Sequence, residues 1–112
     1  MKEVRAYIKP HKLSEVTLAL HHVEGLAGMS VVDARGFGRG HRSGHHETGE
    51  DAFDFVPCVR VEIVCADELV DPIVEAIQKN AHTGLKGDGK VYVCEVQDAI
   101  RIGTGERGED AV

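Results

Sequence analysis

CVRVEIVC, residues 58–65, alternates without a break: Val59, Val61, Ile63 and Cys65 fall on one side, Arg60 and Glu62 on the other. A period of two, rich in β-branched residues, predicts a strand with one buried face. Immediately downstream the period changes. Asp71 and Pro72 read as a helix N-cap and first helical residue. Ile73, Val74, Ile77 and Ala81 then form the apolar stripe of a helix. After the glycine-rich TGLKGDGK, the run VYVCEV (91–96) returns to strand composition.

The first half of the chain has the same order of elements. Val4, Ala6 and Ile8 alternate with Glu3, Arg5 and Tyr7, which predicts a strand over residues 2–8. Leu13, Val16, Leu20 and Val23 follow at helical spacing over residues 13–23, and Gly25 marks the helix end. MSVVDAR (29–35) reads as a second strand. The order strand-helix-strand, twice, with a long connection between the halves, is the ferredoxin-like βαββαβ arrangement. The fold class is therefore α+β, an antiparallel four-stranded sheet with two helices on one face. The other face needs a cover, which self-association would supply. All 112 residues are expected to form one domain.

Two stretches break the regular pattern. RGHRSGHHETGED (39–51) has no apolar residue, so ordering it returns no burial, and it is expected to be a long, mobile, solvated loop. The tail RIGTGERGEDAV (101–112) is glycine-rich and charged and is expected to be loosely held. No apolar run approaches the roughly 20 residues that span a bilayer. The start, MKEVRAYIKPHK, lacks the apolar centre of a secretion signal, so a cytoplasmic location is expected. The net charge of −6, with basic residues scattered, argues against nucleic acid as a partner. Cys58, Cys65 and Cys94 form no CxxC pair and sit in strand-like runs, as expected of small buried residues in a reducing compartment.

The motifs with chemical content are glycine-rich. Gly84, Gly89 and Lys90 have the glycine–lysine spacing of a nucleotide-binding P-loop, but Val91 stands where the magnesium-binding hydroxyl belongs. A strand rather than a helix follows, so this is no Walker motif. Gly84, Gly87 and Gly89 still leave backbone N–H groups able to face an anion, with Lys86 and Lys90 adding charge. Spacing alone leaves two readings, a phosphate-binding loop or a plain turn before a strand. GFGRG (36–40) imitates a dinucleotide fingerprint, but no helix follows it. His41, His45 and His46 sit beside Glu47 and Glu50, a donor set suited to zinc, copper or nickel, or else a merely solvated polar loop. His11, His21, His22 and His82 are scattered at helix edges. No nucleophile–base–acid constellation appears, so the sequence gives catalysis no support.

Taken together, GFGR after the second strand, DFVP before the third, VEIV within it, TGLKGDGK before the fourth and RIGTG near the end resemble the PII signal-transduction proteins. The likeness runs over essentially the whole chain, and AHTGLKGDGKVYV is highly specific. It implies a homotrimer with adenine-nucleotide sites (AMP, ADP or ATP) in the clefts between subunits. By position, Gly36, Phe37, Gly38 and Arg39 would line the cleft, and Ser30, Glu62 and Val64 would surround the adenine. Gly87, Asp88, Gly89 and Lys90 would cradle the phosphates, with Arg101 reaching in from a C-terminal loop over 97–112. Residues 39–56 would be the T-loop, which docks onto a membrane transporter or an enzyme.

The departures from the family pattern are specific. Members that sense 2-oxoglutarate carry Gln and Lys where this chain has Gly40 and Cys58, which removes a magnesium ligand and a charge that pairs with a carboxylate. The loop has no tyrosine to accept uridylylation. Gly103 replaces a second arginine, so AMP or ADP is expected to bind at least as well as ATP. The resemblance thus implies a non-catalytic regulator, in inorganic carbon control with bicarbonate as effector or in heavy-metal efflux through the loop histidines. A slow ATP hydrolase is the remaining alternative.

Overall fold

The computed structural model describes residues 1–38 and 55–112. Its strands are β1 (Lys2–Ile8), β2 (Ser30–Gly36), β3 (Val56–Cys65) and β4 (Lys90–Glu95), and its helices are α1 (Leu13–His21) and α2 (Val70–Ala81). The sheet order is β2-β3-β1-β4, with every neighbouring pair antiparallel. This is the α+β, ferredoxin-like arrangement that the two alternations predict.

Pairing explains why the alternation matters. Val59 lies opposite Ile8, Val61 opposite Ala6 and Ile63 opposite Val4, so the apolar positions of the two central strands share one face. Both helices cover that face. α1 contributes Val16 and Leu20, and α2 contributes Ile73, Ile77 and Ala81, all buried against the sheet. The spacing of four in α2 stacks those three side chains on one stripe. The opposite face carries no helix. Its cross-strand neighbours Glu3, Arg5, Arg60 and Glu62 form an ion-pair network, with Arg5 Nη2 3.0 Å from Glu3 and Arg60 Nε 2.8 Å from Glu62.

Several details differ from the sequence expectation. First, α2 begins at Val70, and Asp71 does not cap it. A 3-10 turn over Asp67–Leu69 runs straight into the helix, so Leu69 at the N-cap already has helical dihedrals and no side chain caps it. Pro72 is accommodated because first-turn N–H groups have no intrahelical acceptor. Second, β3 starts at Val56 and passes through Pro57. β1 has ended at Ile8, opposite Val59, so beyond that point a proline costs no bond to β1.

Third, the tail forms a hydrogen-bonded turn of its own. Ile100 pairs with Arg107, Arg101 N–H donates to Glu106 O at 2.9 Å, and Gly108 N–H donates to Ala99 O at 2.9 Å. These backbone bonds close a turn on itself, and an Arg107–Asp98 ion pair flanks it. The first helix also ends slightly early, at His21, but Val23 still packs on the core from the following turn. Gly25 does not end the helix: it lies three residues beyond the C-cap His22, and its φ of +92° serves the turn closed by Leu26 N–H to Val23 O.

The N-terminus is tied to the second half of the chain. The Met1 ammonium lies 3.0 Å from Asp67, and Lys2 Nζ lies 2.9 Å from Asp67 and 3.1 Å from Glu95. Hydrogen bonding to Lys2 and to the terminal ammonium holds Asp67 below the usual carboxylate range.

Candidate functional site

The antiparallel register gathers chemically distinct residues at one end of the sheet. β1 leaves the ladder at Ile8 and continues into Lys9 and Pro10. β4 enters beside it, with Lys90 opposite Tyr7. On the far edge β2 ends at Gly36, opposite Val56. A cavity of about 500 Å³ spans these ends, lined by Gly36, Phe37 and Gly38 on one side and Gly87, Gly89, Lys90 and Tyr92 on the other, with Tyr7, Lys9 and Cys58 between them. The two glycine-rich motifs, about 50 residues apart in sequence, therefore face one space.

The loop before β4 is built around two features. Gly89 has φ +103°, and a Cβ placed there would lie 1.7 Å from the Tyr7 carbonyl oxygen, so only glycine lets β4 approach β1 at this point. Asp88 supplies the second feature. Its carboxylate accepts from Thr83 N–H at 2.7 Å, from Gly84 N–H at 3.2 Å and from the Thr83 hydroxyl. Lys9 Nζ stands 3.2 Å from Asp88 and also donates to Thr83 Oγ1 at 3.2 Å. The Thr83 hydroxyl and N–H, with Lys9 and Gly84 N–H, hold the Asp88 carboxyl far below its ordinary range.

The sequence-derived site residues divide into two groups. Gly36, Phe37, Gly38, Gly87, Gly89 and Lys90 line the cavity, and Asp88 closes the loop behind it. Ser30, Glu62 and Val64 do not. Ser30 pairs with Glu62, and Glu62 lies four residues along β3 from Cys58, about 13 Å at roughly 3.3 Å per residue. Arg101 sits in the C-terminal turn, which leaves β4 at the end where Val96 N–H bonds Met1 O. Within one chain these four residues lie away from the cavity. Arg39, His41, His45 and His46 fall outside the described residues, as does most of the 39–56 segment. Among the described residues, no group of three or more His, Cys, Asp or Glu side chains is placed to hold a metal, and no helix is long and apolar enough to cross a membrane.

Lys9 and Tyr7 are cavity residues that sequence reasoning missed. Their only local signal is position, at the exit of the first strand before Pro10. What brings them to the glycine loop is the β1–β4 pairing, which no local pattern displays. Phe37 and Phe55 meet edge to face, with ring centroids 5.4 Å apart, and join the two ends of the described chain that flank residues 39–54.

Residues 1–106 match the family described as nitrogen regulatory protein P-II. The chain belongs to the P-II family. Relatives named nitrogen regulatory protein P-II from Azospirillum brasilense and Rhodospirillum rubrum are each 50% identical to it over the full length of both chains. The protein of the same name from Haemophilus influenzae is 48% identical over the full length of both. The chain is thus a P-II-type regulatory signalling protein, and the cavity at the β1–β4 ends is the feature of this P-II fold to which a function must be assigned.

Proposed function

We propose that this P-II protein binds adenine nucleotides, AMP, ADP or ATP, in clefts between the subunits of a homotrimer. The ligand state then passes through residues 39–56 to a membrane transporter or an enzyme. The observation that carries this reading is the split of the candidate residues between two ends of the sheet. The cavity end offers glycine backbone, Lys90 and Lys9 for phosphate groups. The other end offers Ser30, Glu62, Val64 and Arg101. In a homotrimer a neighbouring copy would set one group against the other. The helix-free sheet face supports self-association, because its Arg5, Arg60, Glu3 and Glu62 charges are already paired and Val32 and Tyr92 are exposed on it.

Two substitutions set the ligand preference. Gly103 leaves Arg101 as the single arginine of RIGTG, so a triphosphate tail gains little charge there over a diphosphate or monophosphate. Cys58 in the cavity wall offers no cation to a dicarboxylate, whereas bicarbonate, small and anionic, needs only backbone N–H groups and one basic side chain. Calorimetry with each nucleotide, with and without bicarbonate, tests the reading. Lys90→Ala is expected to weaken binding about 10-fold or more, as for a charge-assisted hydrogen bond of ~1.5–3 kcal/mol. No binding to the unaltered protein, or no effect of Lys90→Ala, overturns it. ATP binding far tighter than AMP and ADP overturns the preference alone.

A further inference from the structure

We infer that Asp88 is a positioning residue of the nucleotide site, a clasp that shapes the phosphate loop from behind and never touches the ligand. The inference rests on the nucleotide reading above and deepens it. TGLKGDGK carries one carboxylate, in a loop that the reading assigns to anions. A carboxylate facing phosphate would repel it, so its direction is decisive. The structure turns it inward. Both oxygens are engaged: Oδ2 by Thr83 N–H and Gly84 N–H, and Oδ1 by the Thr83 hydroxyl and Lys9 Nζ. Leu85 N–H donates to Thr83 Oγ1 at 3.1 Å, so three successive N–H groups at the loop's start are taken internally.

This arrangement divides the loop. Residues 83–85 spend their N–H groups on Asp88 and Thr83, which leaves the later half, Gly87 to Lys90, as the part that can turn N–H groups toward a ligand. Gly89, pressed against the Tyr7 carbonyl, fixes that half to β1. Asp88 also ties β1 to the loop through Lys9, whose Nζ is shared between Asp88 and Thr83 Oγ1. An ammonium has three donors, so Lys9 keeps one for the cavity it lines. His82 adds an outer contact, with Nδ1 3.5 Å from Oδ2, and is itself largely exposed.

The test compares Asp88→Ala, Asp88→Asn, Lys9→Ala and the Lys9→Ala/Asp88→Ala pair. Calorimetry with AMP, ADP and ATP, with and without magnesium, is read beside the amide resonances and exchange rates of Thr83 and Gly84. A clasp predicts that Asp88→Ala weakens all three nucleotides by a common factor of about 10 to 100, as when the outer partner of a ligand-holding group is lost. It also predicts partial rescue by Asp88→Asn, whose amide oxygen still accepts from the two N–H groups. The double variant should lose less than the product of the single losses. A loss that grows with phosphate number or appears only with magnesium means that the carboxylate meets the ligand or its metal, and overturns the proposal. Unchanged Thr83 and Gly84 exchange in Asp88→Ala overturns it whether or not nucleotide binds. An unaltered protein that binds no adenine nucleotide refutes the functional reading instead, and the amide measurements then judge the clasp alone.

Discussion

Gly89→Ala is the sharpest structural perturbation available in this fold. The new methyl group would sit 1.7 Å from the Tyr7 carbonyl oxygen and 2.8 Å from its carbon. Relief requires the strand to retreat by roughly 1.5 Å, because ordinary non-bonded contacts begin above about 3 Å. That retreat opens the ladder where Lys90 lies opposite Tyr7. Three costs combine. A side chain in the left-handed region costs about 1–2 kcal/mol, a lost ladder hydrogen bond about 1 kcal/mol, and residual overpacking about 1–3 kcal/mol. The expected destabilisation is therefore about 3–6 kcal/mol, a large share of the ~5–15 kcal/mol that holds a domain folded. Urea unfolding at equal protein concentrations reads it directly. With a slope of about 1.5 kcal/mol per molar urea, the midpoint falls by roughly 2–4 M. Gly28→Ala is the control, since nothing lies within 4 Å of a Cβ at that position, and its effect should stay within about 0.5 kcal/mol. Midpoints for the two variants within about 0.3 M of each other would refute the close-approach argument.

Further tests probe the core, the termini and the stem of the 39–54 segment. Ile77→Ala removes a side chain that is 1% exposed between α2 and the sheet. It should cost about 2–5 kcal/mol by denaturation, whereas Leu18→Ala, on the exposed face of α1, should cost under about 0.5 kcal/mol. The Met1 ammonium is held above its ordinary pKa of 8.0, chiefly by its hydrogen bond to Asp67. A raised value stabilises the fold fully below 8.0 and is lost as pH rises through the elevated value. The melting-temperature gap between the unaltered protein and Asp67→Asn should thus narrow above pH 8. It should not close there, because Lys2, raised above 10.5, keeps its own bond to Asp67. A gap independent of pH from 7 to 10 would show that the terminal pair contributes nothing. A double-mutant cycle on Phe37 and Phe55 should return a coupling of about 0.5–1.5 kcal/mol, and zero coupling would remove the pair as a fastener of that stem.

Much of this was legible in order along the chain. The alternation of 58–65 and of 2–8 named the buried residues of both central strands, and the stripe Ile73, Ile77, Ala81 named the face of α2. The glycine motifs flagged both walls of the cavity. What was not legible has a consistent cause. Asp71 looked like a cap because capping is read from residue type, and the preceding 3-10 turn leaves no sign in composition. The extension of β3 back to Val56 through Pro57 was not legible, because tolerance of that proline depends on where another strand, β1, ends. The contacts of the Asp88 carboxylate with Thr83, Gly84 and Lys9 were not legible, because a motif names a residue but not the direction of its side chain.

The sequence by itself determined the elements and the family, because periodicity and local motifs arise from interactions between residues close along the chain. It also carried the departures at Gly40, Cys58 and Gly103, which are identities rather than positions. The tertiary structure alone decided that Gly36–Gly38 share one cavity with Gly87, Gly89 and Lys90, that Lys9 pairs with Asp88, and that Ser30, Glu62 and Arg101 lie elsewhere in the same chain. Each of these follows from strand pairing between residues far apart in sequence. Such pairing is set by which apolar faces must meet across the core, and that choice is made by the whole sheet at once.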